Sequence, residues 1–303
     1  METKEILGLT VLGAAVTTIG SLFAMYIKEF IAVRWIERRK AHQTLLEAYR
    51  RYQLPLFLAA KELSGRLYGL SREDVDRERE RDVDLDLLTT PAPREQSVAV
   101  NTHYLRYRLS SNIYRLCSFL GWVELYRRDI GTLDVDSLEH SRELETCLAN
   151  IRGALADGWI NEHQSWADWR DCLIFREELR AIGHSMARQE QLAVLDFGSF
   201  TAALESDANG IGSARWFLQA ALFFVNLKGK RDFRLVRMRM LVVFLTELME
   251  LLQPGRIDRS YLETASRYRL RLDEWTGGSG WRSPAPADPA HLSAARSDPT
   301  AVQ

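Results

Sequence analysis

The chain has 303 residues, 46% hydrophobic and 27% charged, so it holds enough apolar material for a sizeable core. Its 40 basic and 41 acidic residues nearly cancel, which speaks against a dedicated nucleic-acid binder, because such domains carry a strong basic excess. Only 6 of the basic residues are Lys, a bias that a GC-rich genome explains through its Arg codons.

Residues 1–5, METKE, are mixed in charge, and the 22 residues from Ile6 to Ile27 carry no charge at all. As a helix this run spans about 33 Å, enough to cross the hydrocarbon core of a bilayer. A signal peptide would show a basic start, a shorter apolar stretch and an A-x-A-like cleavage site, none of which is present. A buried core helix is rarely apolar all round for six turns. The run therefore reads as a transmembrane helix over 6–27, with the lipid bilayer as its partner. Lys28, Arg34, Arg38, Arg39 and Lys40 follow it, against Lys4 and the α-amino group before it. Positive charge stays on the cytoplasmic side, so the expectation is an outside N-terminus and a main domain, 28–276, at the cytoplasmic face of the cell membrane. Trp35 and Tyr26 suit the interface, and the Arg residues suit anionic headgroups. Gly13, Thr17 and Ser21 form a small-residue face that would let two copies approach as a homo-oligomer.

From Lys28 to Arg51 the reading is a helix leaving the membrane, with Phe30, Val33, Ile36, Leu45 and Tyr49 as its stripe. Pro55 is expected to stop or kink it and to start a new helix through PLFLAAKELSGRLYGL. Residues 71–96 alternate acids and arginines and close on two prolines, which reads as a solvated loop. Asp82, Asp84 and Asp86 mimic a calcium loop, but Leu87 and Pro93 stand where the glycine and the bidentate Glu belong. Residues 98–130 read as a long helix on Leu105, Leu109, Ile113, Leu116, Leu120 and Val123. Asp136 or Ser137 caps the next, carrying Leu138, Leu144, Leu148, Ile151 and Leu155.

A Trp-containing connector over 158–168 precedes a helix over about 168–187, and Trp166 and Trp169 would form a contact patch or simply pack. A short helix ends at Asn209-Gly210. The apolar run 214–227 is too short to span a bilayer. Arg237, Arg239, Glu247 and Glu250 make the helix over 232–253 amphipathic, and a shorter one follows over 258–275. Residues 277–303 are rich in Gly, Ser, Pro and Ala and read as a disordered tail. With no strands of consequence, the fold class is all-α: an N-terminal transmembrane helix followed by a cytoplasmic bundle of six to eight helices.

Nucleotide and hydrolase motifs are absent: no GxxxxGK[ST], GxSxG or HExxH occurs, and Gly210–Ala214 has no strand before it. Cys117, Cys147 and Cys172 show no CxxC and no nearby His, so they read as buried thiols in a reducing compartment. No cofactor and no metal is expected. The most site-like stretch is FREELRAIGHSM, in which Arg176, Arg180 and His184 recur every four residues along one helix face. That face would bind an anion, place His184 as a general base, or simply form salt bridges.

Three stretches, LPLFLAAKELSGRLYGL, YRLCSFLGWVELYRRDI and LIFREELRAIGHSM, resemble a family of helical bacterial proteins of actinobacterial type that has no assigned activity. The resemblance covers roughly residues 50–190. It implies an all-helical domain with a shared Arg-x-x-x-Arg-x-Ile-Gly helix, matched here by Arg176, Arg180, Ile182 and Gly183. The resulting expectation is a non-enzymatic interaction or assembly module, its protein partner unspecified. The alternative is a membrane-tethered sensor or effector that binds an anionic ligand through Arg176, Arg180 and His184.

Overall fold

The computed structural model describes residues 2–71, 99–130, 139–157, 173–206, 214–227 and 232–275; the side chains of 2–24 and of some other helical positions lie outside that description. Among the described residues are eight α-helices: α1 (Glu2–Ser71), α2 (Ala99–Ile130), α3 (Glu139–Ala156), α4 (Arg176–Met186), α5 (Phe197–Ser206), α6 (Ala214–Ala221), α7 (Phe233–Leu252) and α8 (Arg259–Trp275). A two-residue antiparallel ribbon, β1 (Ala187–Arg188) with β2 (Ala193–Val194), links α4 to α5. Its turn uses Leu192 at a left-handed φ of 47°. The body is the predominantly helical bundle that the periodicity expects. Outside the described residues fall the charged loop beyond Ser71, the caps Asp136 and Ser137, Trp166 and Trp169, Asn209-Gly210 and the tail.

Helix α1 runs unbroken for 70 residues, about 105 Å. The Ile6–Ile27 run is helical throughout, and the side chains of Gly13, Thr17 and Ser21 lie outside the described residues. Among the described residues no helix is long and apolar enough to cross a membrane. The described side chains of 25–44 are all exposed, and the first buried one is Leu45. Phe30, Val33 and Ile36, expected as a packed stripe, are thus open on a projecting stem. From Leu45 onward the helix packs against α7 and α2.

Pro55 neither stops nor breaks this helix. A mid-helix proline loses one hydrogen bond and crowds the carbonyl four residues back, at about 3 kcal/mol. Contacts on both sides offset that cost. Tyr52, Leu56 and Phe57 are buried, the Tyr52 hydroxyl donates to Asp129 Oδ2 (2.8 Å), and Arg51 pairs with the same carboxylate (3.0 Å). The Gln53 amide donates to the Leu252 carbonyl.

Helix α7 is the centre of the bundle and touches α1, α3 and α8. Leu235, Met238, Val242, Leu245, Met249 and Leu252 are buried as expected. The reading of Arg237 and Arg239 as a solvated face is corrected: both are buried, and so is Arg234. Each guanidinium meets the carbonyls at the end of another helix. Arg237 donates to Ala154 O and Asp157 O (both 2.7 Å), closing α3. Arg239 donates twice to Ser71 O (3.1 and 3.0 Å), closing α1. Arg234 donates to Leu222 O, Val225 O and Asn226 O (2.7, 2.6 and 2.7 Å), closing the turns after α6. At 100° per residue, positions 234, 237 and 239 point in three directions, so one helix serves three neighbours. Helix C-termini carry orphan carbonyls and partial negative charge, which is what a buried cation needs.

Helix α4 starts at Arg176 rather than near 168, because Leu173 to Phe175 is not helical. The Phe175 N–H donates to Glu178 Oε2 (2.9 Å), and the Ile174 N–H satisfies Leu155 O (3.1 Å). Helix α4 lies close on α2 through two glycines. A Cβ on Gly183 would stand 2.7 Å from Leu120 O, and one on Gly121 would stand 2.8 Å from Met186 Cβ. Gly183→Ala will therefore lower the melting temperature: overpacking against backbone costs about 1–3 kcal/mol, offsetting the roughly 1 kcal/mol that Ala gains in a helix. Gly69→Ala, whose Cβ meets nothing within 4 Å, will raise it instead. Thermal unfolding of the two variants beside the parent checks both signs.

Candidate functional site

Arg176 and Arg180 lie one turn apart on α4 and line a cleft of about 250 Å³ between α2, α3 and α4. Two further arginines enter it, Arg127 from α2 and Arg152 from α3. Glu124 and Glu177 are the carboxylates of the lining, among the described residues. Arg176 is anchored from behind by Asp157 Oδ1 (2.8 Å), the residue whose carbonyl Arg237 holds. Arg127 stands 3.5 Å from Glu145.

Four guanidinium groups against two carboxylates make the lining of this cleft electropositive. Burial first, then the nearby Arg127 charge, pushes Arg152 down to about 10, with Glu145 acting in the opposite direction. A buried cation among like charges is raised in energy, and an anion in the cleft relieves it.

His184 does not join the cleft. Its ring is exposed, and its Nδ1 accepts from the Arg128 guanidinium, which also donates to Glu124 Oε1 (3.0 Å). No carboxylate orients the ring among the described residues. The structure thus brings Arg176 and Arg180 together and leaves His184 apart, so catalysis by His184 gains nothing from the geometry. Arg127 and Arg152 were missed by sequence reasoning. They sit 25 residues apart on different helices and share no local pattern with Arg176.

Of the residues expected at a membrane interface, Lys28, Arg34, Trp35, Arg39 and Lys40 are exposed, and the Arg38 side chain lies outside the described residues. Arg34 stacks over Phe30 (4.5 Å to the centroid) and Arg39 over Trp35 (5.3 Å), each one helical turn apart. Such pairs join a weakly hydrated cation to an aromatic face, a combination suited to headgroup depth. Cys117 is free and fully buried, and burial pushes its thiol far up; Cys147 is free and half-buried, and burial above all pushes it up to about 11. Neither is a thiolate near neutral pH, so neither is activated as a nucleophile. Compared with family models, with curated proteins and with solved structures, the chain matches none.

Proposed function

We propose that this protein is a single-pass membrane-anchored helical body, a non-enzymatic interaction or assembly module held at the cytoplasmic face by α1. The observation that carries this reading is the stem. Met25 and Tyr26, at the end of a charge-free run of 22, and Phe30, Val33, Trp35 and Ile36, just beyond it, are all exposed within 12 residues. A water-exposed helix seldom leaves so many large apolar side chains together. At the edge of a bilayer they would meet acyl chains and headgroups, with Lys28, Arg34, Arg39 and Lys40 on the phosphates. A protein partner would then meet the bundle about 25 Å or more from the span, since the core begins 18 residues after Ile27.

Membrane fractionation tests the anchor. The full chain will pellet with membranes and resist alkaline carbonate, whereas a chain carrying Val11→Arg and Val16→Arg will not. Each mid-span Arg opposes insertion by about 2.5–3.5 kcal/mol. A parent chain that carbonate strips from membranes would remove the anchor from the account.

The second reading, an anion bound by Arg176 and Arg180, is supported by the convergence of Arg127 and Arg152 on the same cleft. His184 leaves the ligand set and becomes a support for Arg128. Inorganic phosphate titrated by NMR against the full chain is expected to shift α4 resonances, and Arg180→Gln to weaken that response about tenfold. A response unchanged by Arg180→Gln would send the anion elsewhere.

A further inference from the structure

A larger cleft, about 510 Å³, opens between α1, α2 and α8, away from the Arg176 face. Lys61 and Arg66 enter it from α1, and Arg108 and Arg115 from α2, with Glu62 as the carboxylate of the lining among the described residues. Four cations face Glu62 in the lining and Asp258 beside Lys61, which leaves an excess of positive charge among the described residues. Glu62 stands 3.9 Å from Arg115, which also donates to Ser111 O at 3.1 Å, and Lys61 stands 3.8 Å from Asp258. Arg66 is held below its usual range by burial, then by Arg115 and Arg108. Like charges gathered around an open cleft favour an anion there.

The floor makes the same case independently. Gly65 and Gly69 stand one turn apart in α1, and each glycine costs about 1 kcal/mol in a helix. Gly65 is required by packing, because its Cβ would stand 2.8 Å from the Tyr261 hydroxyl oxygen. Gly69 is not, because its Cβ would meet nothing within 4 Å. What Gly69 does is leave the cleft open.

We propose that this cleft binds a soluble organic diphosphate of nucleotide size, its phosphates held by Lys61, Arg66, Arg108 and Arg115. The oxygens of a diphosphate suit several guanidinium and ammonium donors at once. The volume falls within the roughly 300–1,000 Å³ of small-molecule sites, and Leu58, Leu70 and Tyr261 offer a surface for the organic part. A lipid headgroup has the same phosphate chemistry. On the anchor reading it is out of reach, because Lys61 lies 34 residues past Ile27, about 51 Å along α1.

Calorimetry on the full chain in nonionic detergent tests this wherever the protein resides in the cell. ADP and inorganic pyrophosphate will each bind saturably at one site, and AMP at least tenfold more weakly. Arg66→Gln and Arg115→Gln will each weaken ADP at least tenfold. Gly69→Leu keeps every charge, has room at its Cβ and fills the cleft, so it will abolish binding while melting no lower than the parent. Arg188→Gln, an exposed residue outside both clefts, will leave ADP binding unchanged. In nanodiscs of phosphatidylcholine with or without phosphatidylinositol bisphosphate, ADP will bind equally. Absence of saturable ADP and pyrophosphate binding, or binding that survives Gly69→Leu, would overturn the proposal. Displacement of ADP by the phosphoinositide would overturn the soluble ligand in favour of a lipid headgroup.

Discussion

Arg237→Met will destabilise the bundle by about 2–5 kcal/mol, a fall of roughly 5–15 °C in melting temperature. Arg237 has no exposed surface, and its two bonds to Ala154 O and Asp157 O are 2.7 Å each. Met fills much of the volume but donates nothing. Two carbonyls at the end of α3 are then left buried without these donors, at about 1–3 kcal/mol apiece. The loss propagates, because Asp157 also holds Arg176 at the start of α4. Arg237→Lys keeps the charge but offers a point donor in place of a fork, so it will fall between parent and Met. Circular dichroism melts read the order parent, Lys, Met. Hydrogen exchange will show the loosening first in the last turn of α3.

Asp232→Ala will cost a similar amount by the opposite route. Asp232 accepts from the Arg234 N–H (2.9 Å) as the cap of α7 and pairs with the Arg234 guanidinium (2.7 Å), and both residues are buried. Removing the acid leaves a buried guanidinium facing only carbonyl dipoles and uncaps the central helix. Breaking one side of a buried pair costs about 3–5 kcal/mol, to which the cap adds about 1. Asp232→Ala combined with Arg234→Met will be less destabilised than the sum of the two, because the stranded charge is gone. Urea unfolding of the four-protein cycle measures that coupling, expected at about 1–3 kcal/mol.

The first prediction rests on Arg237, which sequence reasoning took for part of the polar face of an amphipathic helix, and the second on Arg234, of which it said nothing. The apolar stripes were readable: Leu109, Ile113, Leu116, Leu120 and Val123 follow helical spacing, and all are buried in α2. A charge on a helix reads as exposure because an unmatched buried charge is costly. What matches Arg234, Arg237 and Arg239 are carbonyls 8 to 168 residues away, at helix ends no local window contains. Pro55 was misread for the same reason, since its local cost is plain while the contacts of Tyr52 and Gln53 that offset it come from α2 and α7. Of the candidate site, Arg176 and Arg180 were visible as one helix face, whereas Arg127 and Arg152 required the crossing of three helices. His184 shared the face in sequence but lies a turn beyond the cleft, against Arg128.

The anchor and its direction are the centre of the functional account, and labelling single cysteines tests them most directly. In intact cells, a membrane-impermeant maleimide will modify a Thr3→Cys chain from outside. It will modify an Arg50→Cys chain, on the exposed side of α1 just inside the bundle, only after the membrane is opened. The parent chain, with Cys117, Cys147 and Cys172, gives the background; Cys117 is buried and Cys147 half-buried. Labelling of Arg50→Cys without permeabilisation, or release of both chains into the soluble fraction, would contradict a helical body held at the cytoplasmic face by the Ile6–Ile27 segment.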